Sequence, residues 1–309
     1  MSTDSPTEIS VVIPSYNGAD TLDRCLSTVA SVQKPEGAIE FLLVDNASTD
    51  ETVTIMKRHA EGLGATVLHQ PLSGKSHALN LALSHARGEF VVFWDDDVLP
   101  EPGCLRAYVQ AARSHPDITL FGGQIRPEWV GKKPQRWLVF LTDIGKSWGC
   151  TRLNRPQEEM VFSDVKGGNM MVRRADLGTI RFDTEELNYA GTGIAGGGED
   201  TGFAGSVSAK GGRLLYVPDA CVKHMIQPDE MTRRAVFRRY YRIGRSNIAR
   251  SGEGADPVTL RDWFVTAQIL LAAVYFSVTL RPKVAARRMV SGAMKMGEVR
   301  ARREMTTKP

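Results

Sequence analysis

Residues 90–103 read FVVFWDDDVLPEPG. Five apolar or aromatic residues, Phe90 to Trp94, run directly into Asp95, Asp96 and Asp97, and then into a segment broken by Pro100, Pro102 and Gly103. A short continuous apolar run followed by turn-forming residues is the pattern of a buried strand. Adjacent carboxylates repel, so a strand that stops on them needs plentiful water or a compensating cation. Taken alone, the stretch suits either a solvated acidic turn or a site for a hard cation. Mg²⁺ or Mn²⁺ prefers oxygen ligands, keeps several waters and bridges to phosphate.

The flanking sequence favours the cation. Upstream, EISVVIP (8–14) reads as a buried first strand closed by Pro14, and IEFLLV (39–44) as a second ending at Asp45. Between them Leu22, Leu26 and Val29 recur at helical spacing over 19–32, with Asp20 or Thr21 as cap. NASTDET opens a helix over roughly 51–62, Val67 and Leu68 suit a third strand, GKSHALNLALSHARG a third helix, and EFVVFW the fourth strand. This alternation predicts an α/β fold, a mainly parallel sheet flanked by helices, with ligands at the carboxyl ends of the strands. Three polar clusters fall there: Pro14-Ser15-Tyr16-Asn17, Asp45-Asn46 and Asp95-Asp96-Asp97. They should face one cleft.

The chain has 309 residues, 42% hydrophobic and 24% charged, which is an ordinary globular composition. Its net charge of +4 is unevenly laid out: from residue 231 onward Lys+Arg number 17 against 5 Asp+Glu, leaving the preceding part acidic. We expect a catalytic domain over 1–230 and a basic, helical extension over 231–309. Cys25, Cys104, Cys150 and Cys221 form no CxxC pair, so neither a zinc knuckle nor a disulfide framework is indicated. The start, MSTDSPTEIS, lacks the basic and apolar regions of a signal peptide, and a cytoplasmic setting is expected.

VVIPSYNGADTLDRCLSTV, LLVDNASTDET, GKSHALNLAL and WDDDVLPEPGCL, in this order and spacing, resemble the start of a family-2, GT-A-fold inverting glycosyltransferase. The similarity is strong over about 9–105 and weaker to about 228. It implies a nucleotide-sugar donor cupped by Pro14, Ser15, Tyr16 and Asn17, with Asp45 on the base or ribose. Lys75 and Asn80 would line the diphosphate and nucleoside pocket. Asp95 and Asp97 align with the family's D-x-D: the first contacts the sugar-nucleotide, the second holds Mn²⁺ or Mg²⁺, and Asp96 occupies the variable middle position. GGGEDTGF resembles the E-D acceptor motif, implying Asp200 as catalytic base with Glu199 beside it; a helix N-terminus would also favour these acids. KGGNMMVRR resembles the strand at the floor of the acceptor region, implying Gly168 and Asn169. His224 resembles a late histidine that completes the metal site with Asp95 and Asp97 in some relatives, although most lone histidines are structural.

Gly191 to Gly196 fits G-x-G-x-x-G, but LNYA before it is a poor strand. We read a loop beside the acceptor site. Trp129, Trp137 and Trp148, among Pro, Gly and Lys, suit a loop-rich binding wall.

The tail lacks the Q-x-x-R-W motif of processive synthases. Arg238, Arg239, Arg242 and Arg245 could reach a diphosphate or form a solvated basic face. WFVTAQILLAAVYFSVTL (263–280) is just short of a bilayer span and carries Arg and Lys on both sides. A helix lying on the inner leaflet is therefore preferred to a single span, and packing on the catalytic domain is the plain alternative. Such an enzyme would suit a glycan or lipid-linked acceptor. Of the rivals, a sugar-phosphate nucleotidyltransferase would open with a Gly- and Arg-rich phosphate loop, where this chain has PSYNGADT. A non-catalytic membrane-associated scaffold would have lost the carboxylates. Nucleic acid is not an expected partner, because few aromatics interleave the arginines.

Overall fold

The computed structural model describes residues 7–135, 138–139, 143–184, 198–251, 258–278 and 281–306. Among these the chain forms two compact units. One takes the described residues up to Glu128, then Thr151–Thr184 and Glu199–Met225; the other takes the remainder, so that 129–150 joins the tail rather than the expected catalytic domain.

The first unit is built on one sheet. β1 (Thr7–Ser15), β2 (Ala38–Asp45), β3 (Thr66–His69) and β4 (Phe90–Trp94) lie parallel in the order β3-β2-β1-β4. The connecting helices are α1 (Ala19–Val29), α2 (Thr52–Leu63) and α3 (Lys75–His85). α1 buries Leu22, Cys25, Leu26 and Val29, one face at helical spacing. This is the α/β order expected from the alternation of apolar runs.

Beyond β4 the parallel order ends. β5 (Val98–Pro100), α4 (Cys104–Ser114) and β6 (Ile118–Trp129) follow; then come α5 (Ile144–Trp148), β7 (Glu158–Glu159), β8 (Asn169–Arg173), α6 (Arg174–Leu177), α7 (Glu199–Ala209) and β9 (Arg213–Ile226). β8 pairs antiparallel with β4, and the path continues β8-β6-β9-β5. Phe182 stacks on Phe203 at 4.1 Å, with Phe93 edge-on to both. Fully burying each such ring is worth about 1.5–3 kcal/mol.

Register decides what meets at the sheet's edge. Ser15 pairs with Asp45 and Asp45 with His69, so three strand ends lie level. Trp94 pairs with Asn169, which brings Gly168 beside Asp95. Val98 pairs with His224, which returns β9 to the carboxylates.

The second unit contains α8 (Arg233–Ser251), α9 (Leu260–Val278) and α10 (Pro282–Thr306). α8 and α10 cross at Gly244 and Gly297, where a Cβ would strike the Met294 and Tyr241 carbonyls. Arg245 is buried and bonds Glu304 at 2.6 Å, so of the four arginines read as a possible diphosphate contact or solvated face, this one does neither. No described helix is long and apolar enough to cross a membrane. Trp129 packs edge-on to Trp148 at 5.2 Å within this unit, while Trp137 and the Gly191–Gly196 loop lie outside the described residues.

Candidate active site

The first two strand ends are sewn together by side chains that cap backbone. Asn17, in a left-handed conformation (φ 51°) that Asn tolerates, accepts from Thr49 N at 2.8 Å. Asp45 is buried: its Oδ1 accepts from Ser48 N at 3.1 Å, and its Oδ2 lies 2.7 Å from His69 Nδ1. Asn46 Oδ1 accepts from Gly74 N at 2.8 Å and its Nδ2 donates to Leu72 O at 2.7 Å. That clamp holds Gly74 (φ 135°), a backbone state suited to glycine, at the start of α3 and so positions Lys75.

Lys75 Nζ is 2.5 Å from Asp95 Oδ1 and 3.7 Å from Glu199 Oε1. Burial alone would lower its pKa, but the charges of Asp95 and Glu199 and the hydrogen bond to Asp95 hold it raised, so it stays an ammonium. Burial raises the Glu199 carboxyl, opposed by Lys75 and reinforced by Asp200.

The three consecutive aspartates have three environments. Asp95 meets Lys75. Asp96 accepts from Ser15 Oγ, and burial next to the Asp97 charge pushes its pKa up to about 7 against that hydrogen bond. Asp97 Oδ2 lies 3.1 Å from His224 Nε2; although burial opposes it, the His224 charge and hydrogen bond lower the Asp97 pKa. Asp97 Oδ1 is buried and has no hydrogen-bond partner among the described residues. A buried carboxylate oxygen without a donor is costly and invites a cation.

Asp200 lies in the first turn of α7, just after Glu199, where the helix dipole favours an anion. Its Oδ2 accepts from Gly167 N at 2.6 Å and its Oδ1 from Thr201 N at 2.8 Å. A Cβ on Gly167 would lie 2.9 Å from the Asp200 Cβ, and one on Gly168 would lie 3.0 Å from Asp95 Oδ2. Two adjacent residues without side chains thus let Asp95 and Asp200 approach the same piece of backbone.

The arrangement therefore brings together Ser15, Asp45, Lys75, Asp95, Asp96, Asp97, Gly168, Glu199, Asp200 and His224. Pro14 is buried within β1, and Tyr16 is 55% exposed just beyond it. Two expected site residues have their side chains committed elsewhere. Asn80 pairs with the backbone of Phe182, donating to its carbonyl at 2.8 Å and accepting from its N–H at 2.9 Å. Asn169 is buried; it accepts from Trp94 Nε1 and Tyr108 OH and donates to Gln124 O and Ala220 O. Both support the site from behind. Sequence reasoning placed Asn46 at the cleft without giving it a role, and missed His69, Gly18 and Gly167. His69 was signalled by its place at a strand end, whereas Gly18, whose Cβ would collide with Ser15 Oγ and Asp96, shows no local signal.

Among the described residues no three His, Cys, Asp or Glu side chains are arranged as a ready ligand set. Asp97 and His224 still offer oxygen and nitrogen donors, and the unpartnered Oδ1 fits an ion that completes its shell from water and phosphate.

The sequence matches the family described as Glycosyl transferase family 2 over residues 10–181. Among curated proteins it is 30% identical over 149 residues to an undecaprenyl-phosphate 4-deoxy-4-formamido-L-arabinose transferase of Sodalis glossinidius, covering 46% of each chain. It is 34% identical over 116 residues to the poly(ribitol-phosphate) beta-N-acetylglucosaminyltransferase TarS of Staphylococcus aureus, covering 37% of this chain and 20% of that one. The chain thus spans about half the length, or less, of these relatives. Among solved structures, the mannosyltransferase PcManGT from Pyrobaculum calidifontis, in complex with GDP-Man and Mn²⁺, superposes with a TM-score of 0.62 at 22% identity, covering 95% of this chain and 86% of that one. S. aureus TarS 1–349 in complex with UDP superposes at 0.53 and 18% identity, covering 93% and 89%. These likenesses establish the GT-A fold. The family match takes in more than half of the chain, including the strand ends that carry Ser15, Asp45 and the three aspartates, and on that ground this chain belongs to glycosyl transferase family 2.

Proposed function

We propose that this chain is an inverting glycosyltransferase that moves a sugar from a nucleotide-diphospho-sugar to an acceptor hydroxyl, using Mn²⁺ or Mg²⁺ beside Asp97. The observation that carries the reading is the approach of Asp95 and Asp200 to adjacent glycines, with Lys75 between Asp95 and Glu199. Donor and acceptor chemistry then fall within one small space.

Tyr16, Asn17 and Asp45 form the nucleoside side of the cleft. Lys75 supplies a fixed positive charge for the diphosphate, and Asp95 meets the donor sugar. Asp97 and His224, with Asp95 beside them, would hold the metal, which when bound supplies positive charge to the leaving diphosphate. Asp200 has one oxygen held by Gly167 N–H and the other by Thr201 N–H, which fixes the carboxylate and leaves lone pairs to take the proton of the attacking hydroxyl. The named acceptors of the relatives, undecaprenyl phosphate and poly(ribitol phosphate), support a glycan or lipid-linked acceptor in envelope or exopolysaccharide synthesis. We place the enzyme at the cytoplasmic face of the membrane as a peripheral protein.

A donor-hydrolysis screen over nucleotide sugars, with Mn²⁺, Mg²⁺ or EDTA, tests the reading. Activity on one donor that EDTA removes is expected; hydrolysis of none, or full activity in EDTA, rejects it. Asp97→Ala should abolish turnover and weaken donor binding, whereas Asp200→Asn should cut transfer by about 10²–10⁴ with donor affinity kept. Equal loss of donor binding in both would contradict the assigned roles.

A further inference from the structure

α9 turns an apolar face outward. Trp263, Phe264, Leu271, Val274, Tyr275 and Val278 are 47–77% exposed. At about 100° per residue they fall within roughly 120° of the helix circumference. The packed face is a different one: Thr266 is buried, Ile269 and Leu270 lie on Gly292 of α10, and Asp262 bonds Arg302 at 2.7 Å. The helix is therefore already docked on its own unit, and the outward stripe is additional apolar surface of the kind that marks an interaction site. Exposed arginines flank it in the chain, Arg261 before the stripe and Arg281 after it, with Arg287 and Arg288 following on the first turns of α10.

We infer that α9 lies flat in the headgroup region of an anionic bilayer, with this stripe inserted among the acyl chains and the flanking arginines on lipid phosphates. Charge complementarity selects this occupant. A second copy seated on the same face would bring one set of arginines against another, and like charges oppose such a contact. Trp263 and Tyr275 are the residue types that settle at the depth of lipid headgroups. Because no described helix can cross a bilayer, the stripe lies on the membrane rather than through it. The inference deepens the membrane clause of the proposed function, and its readout is binding, independent of turnover.

The test is co-flotation of the full chain with vesicles of phosphatidylcholine alone and of phosphatidylcholine with phosphatidylglycerol. Wild type should float with the anionic vesicles and much less with the neutral ones, and its tryptophan emission should shift to the blue. The double variant Phe264→Glu/Val274→Glu should lower binding at least roughly tenfold, and Arg287→Glu/Arg288→Glu should weaken it on anionic vesicles alone. Both variants change exposed side chains, so unchanged thermal melts and donor hydrolysis confirm the fold. Wild type that stays in the dense fraction with both vesicles overturns the inference, as does a Phe264→Glu/Val274→Glu protein that floats like wild type. A dimer in sedimentation velocity that this variant abolishes, with no vesicle binding, would instead make the stripe an interface between copies. Failed flotation with intact donor hydrolysis sinks only this inference; flotation without hydrolysis of any donor sinks only the catalytic reading.

Discussion

Alanine at Gly167 and, separately, alanine at Gly168 should damage different halves of the reaction. Neither glycine has a positive φ, so alanine fits the backbone at both positions and only space is at issue. At Gly168 the new Cβ lies 3.0 Å from Asp95 Oδ2 and 3.7 Å from Val98 Cγ1. Ordinary contact begins near 3.4 Å, so the carboxylate has to retreat by about 0.4 Å, which a side-chain end does easily. Stability should change by less than about 1 kcal/mol, because alanine also reduces the entropy of the unfolded chain. The retreat moves Asp95 relative to Lys75, so the donor Kd or KM should rise by about tenfold. At Gly167 the clash is with Asp200 Cβ at 2.9 Å, an atom anchored to the first turn of α7. There the helix start itself has to move, which costs about 1–3 kcal/mol and stretches the 2.6 Å bond that fixes the Asp200 carboxylate. kcat should fall by about 10²-fold with donor affinity kept. Isothermal titration with the donor, together with steady-state transfer kinetics, separates the outcomes. If both variants shift the donor Kd alike, or if Gly167→Ala leaves kcat unchanged, the division between donor and acceptor carboxylates is wrong.

Other substitutions probe the charges. The Asp96 carboxyl, raised to about 7 in the folded chain from an ordinary 3.8, keeps a proton there that the unfolded chain releases, so stability should fall as pH rises between those values, by up to about 1.4 kcal/mol per pH unit. Asp97, held low, adds a dependence only below the ordinary carboxylate range, so unfolding in EDTA at pH 5 and pH 7.5 should show this slope in wild type and lose most of it in Asp96→Asn; equal slopes refute the assignment. Lys75→Met leaves Asp95 and Glu199 without their shared cation, and donor affinity should fall at least about tenfold, with Lys75→Arg restoring little because a planar fork does not replace a compact ammonium. Asn169→Ala strands the Trp94 donor and two carbonyls in the interior, while Tyr108 keeps its bond to the backbone carbonyl of residue 169, and should cost about 3 kcal/mol or more in urea unfolding, with KM for the acceptor unchanged in the folded fraction; a selective acceptor KM effect would return Asn169 to the binding surface.

From the sequence by itself came the apolar runs, their alternation with helices and the polar residues at their ends. A strand's burial and a helix's face are local patterns of residue type, and Ser15, Asp45 and Asp95–Asp97 sit where such patterns stop. Tertiary structure decided which of these groups touch. Pairing of Trp94 with Asn169 and of Val98 with His224 joins residues 75 and 126 positions apart, and no local pattern specifies an antiparallel register across such intervals. The same register separates Asn169, turned inward to Tyr108, from Gly168, left open beside Asp95. Likewise the run at 263–280 was legible as apolar, but only the packing of Thr266, Ile269 and Leu270 onto their own unit decided which of its side chains face outward. Hydrophobic and charged character belong to single residues, whereas a carboxylate's partner, its exposure and its proton affinity depend on distances that only the folded chain sets.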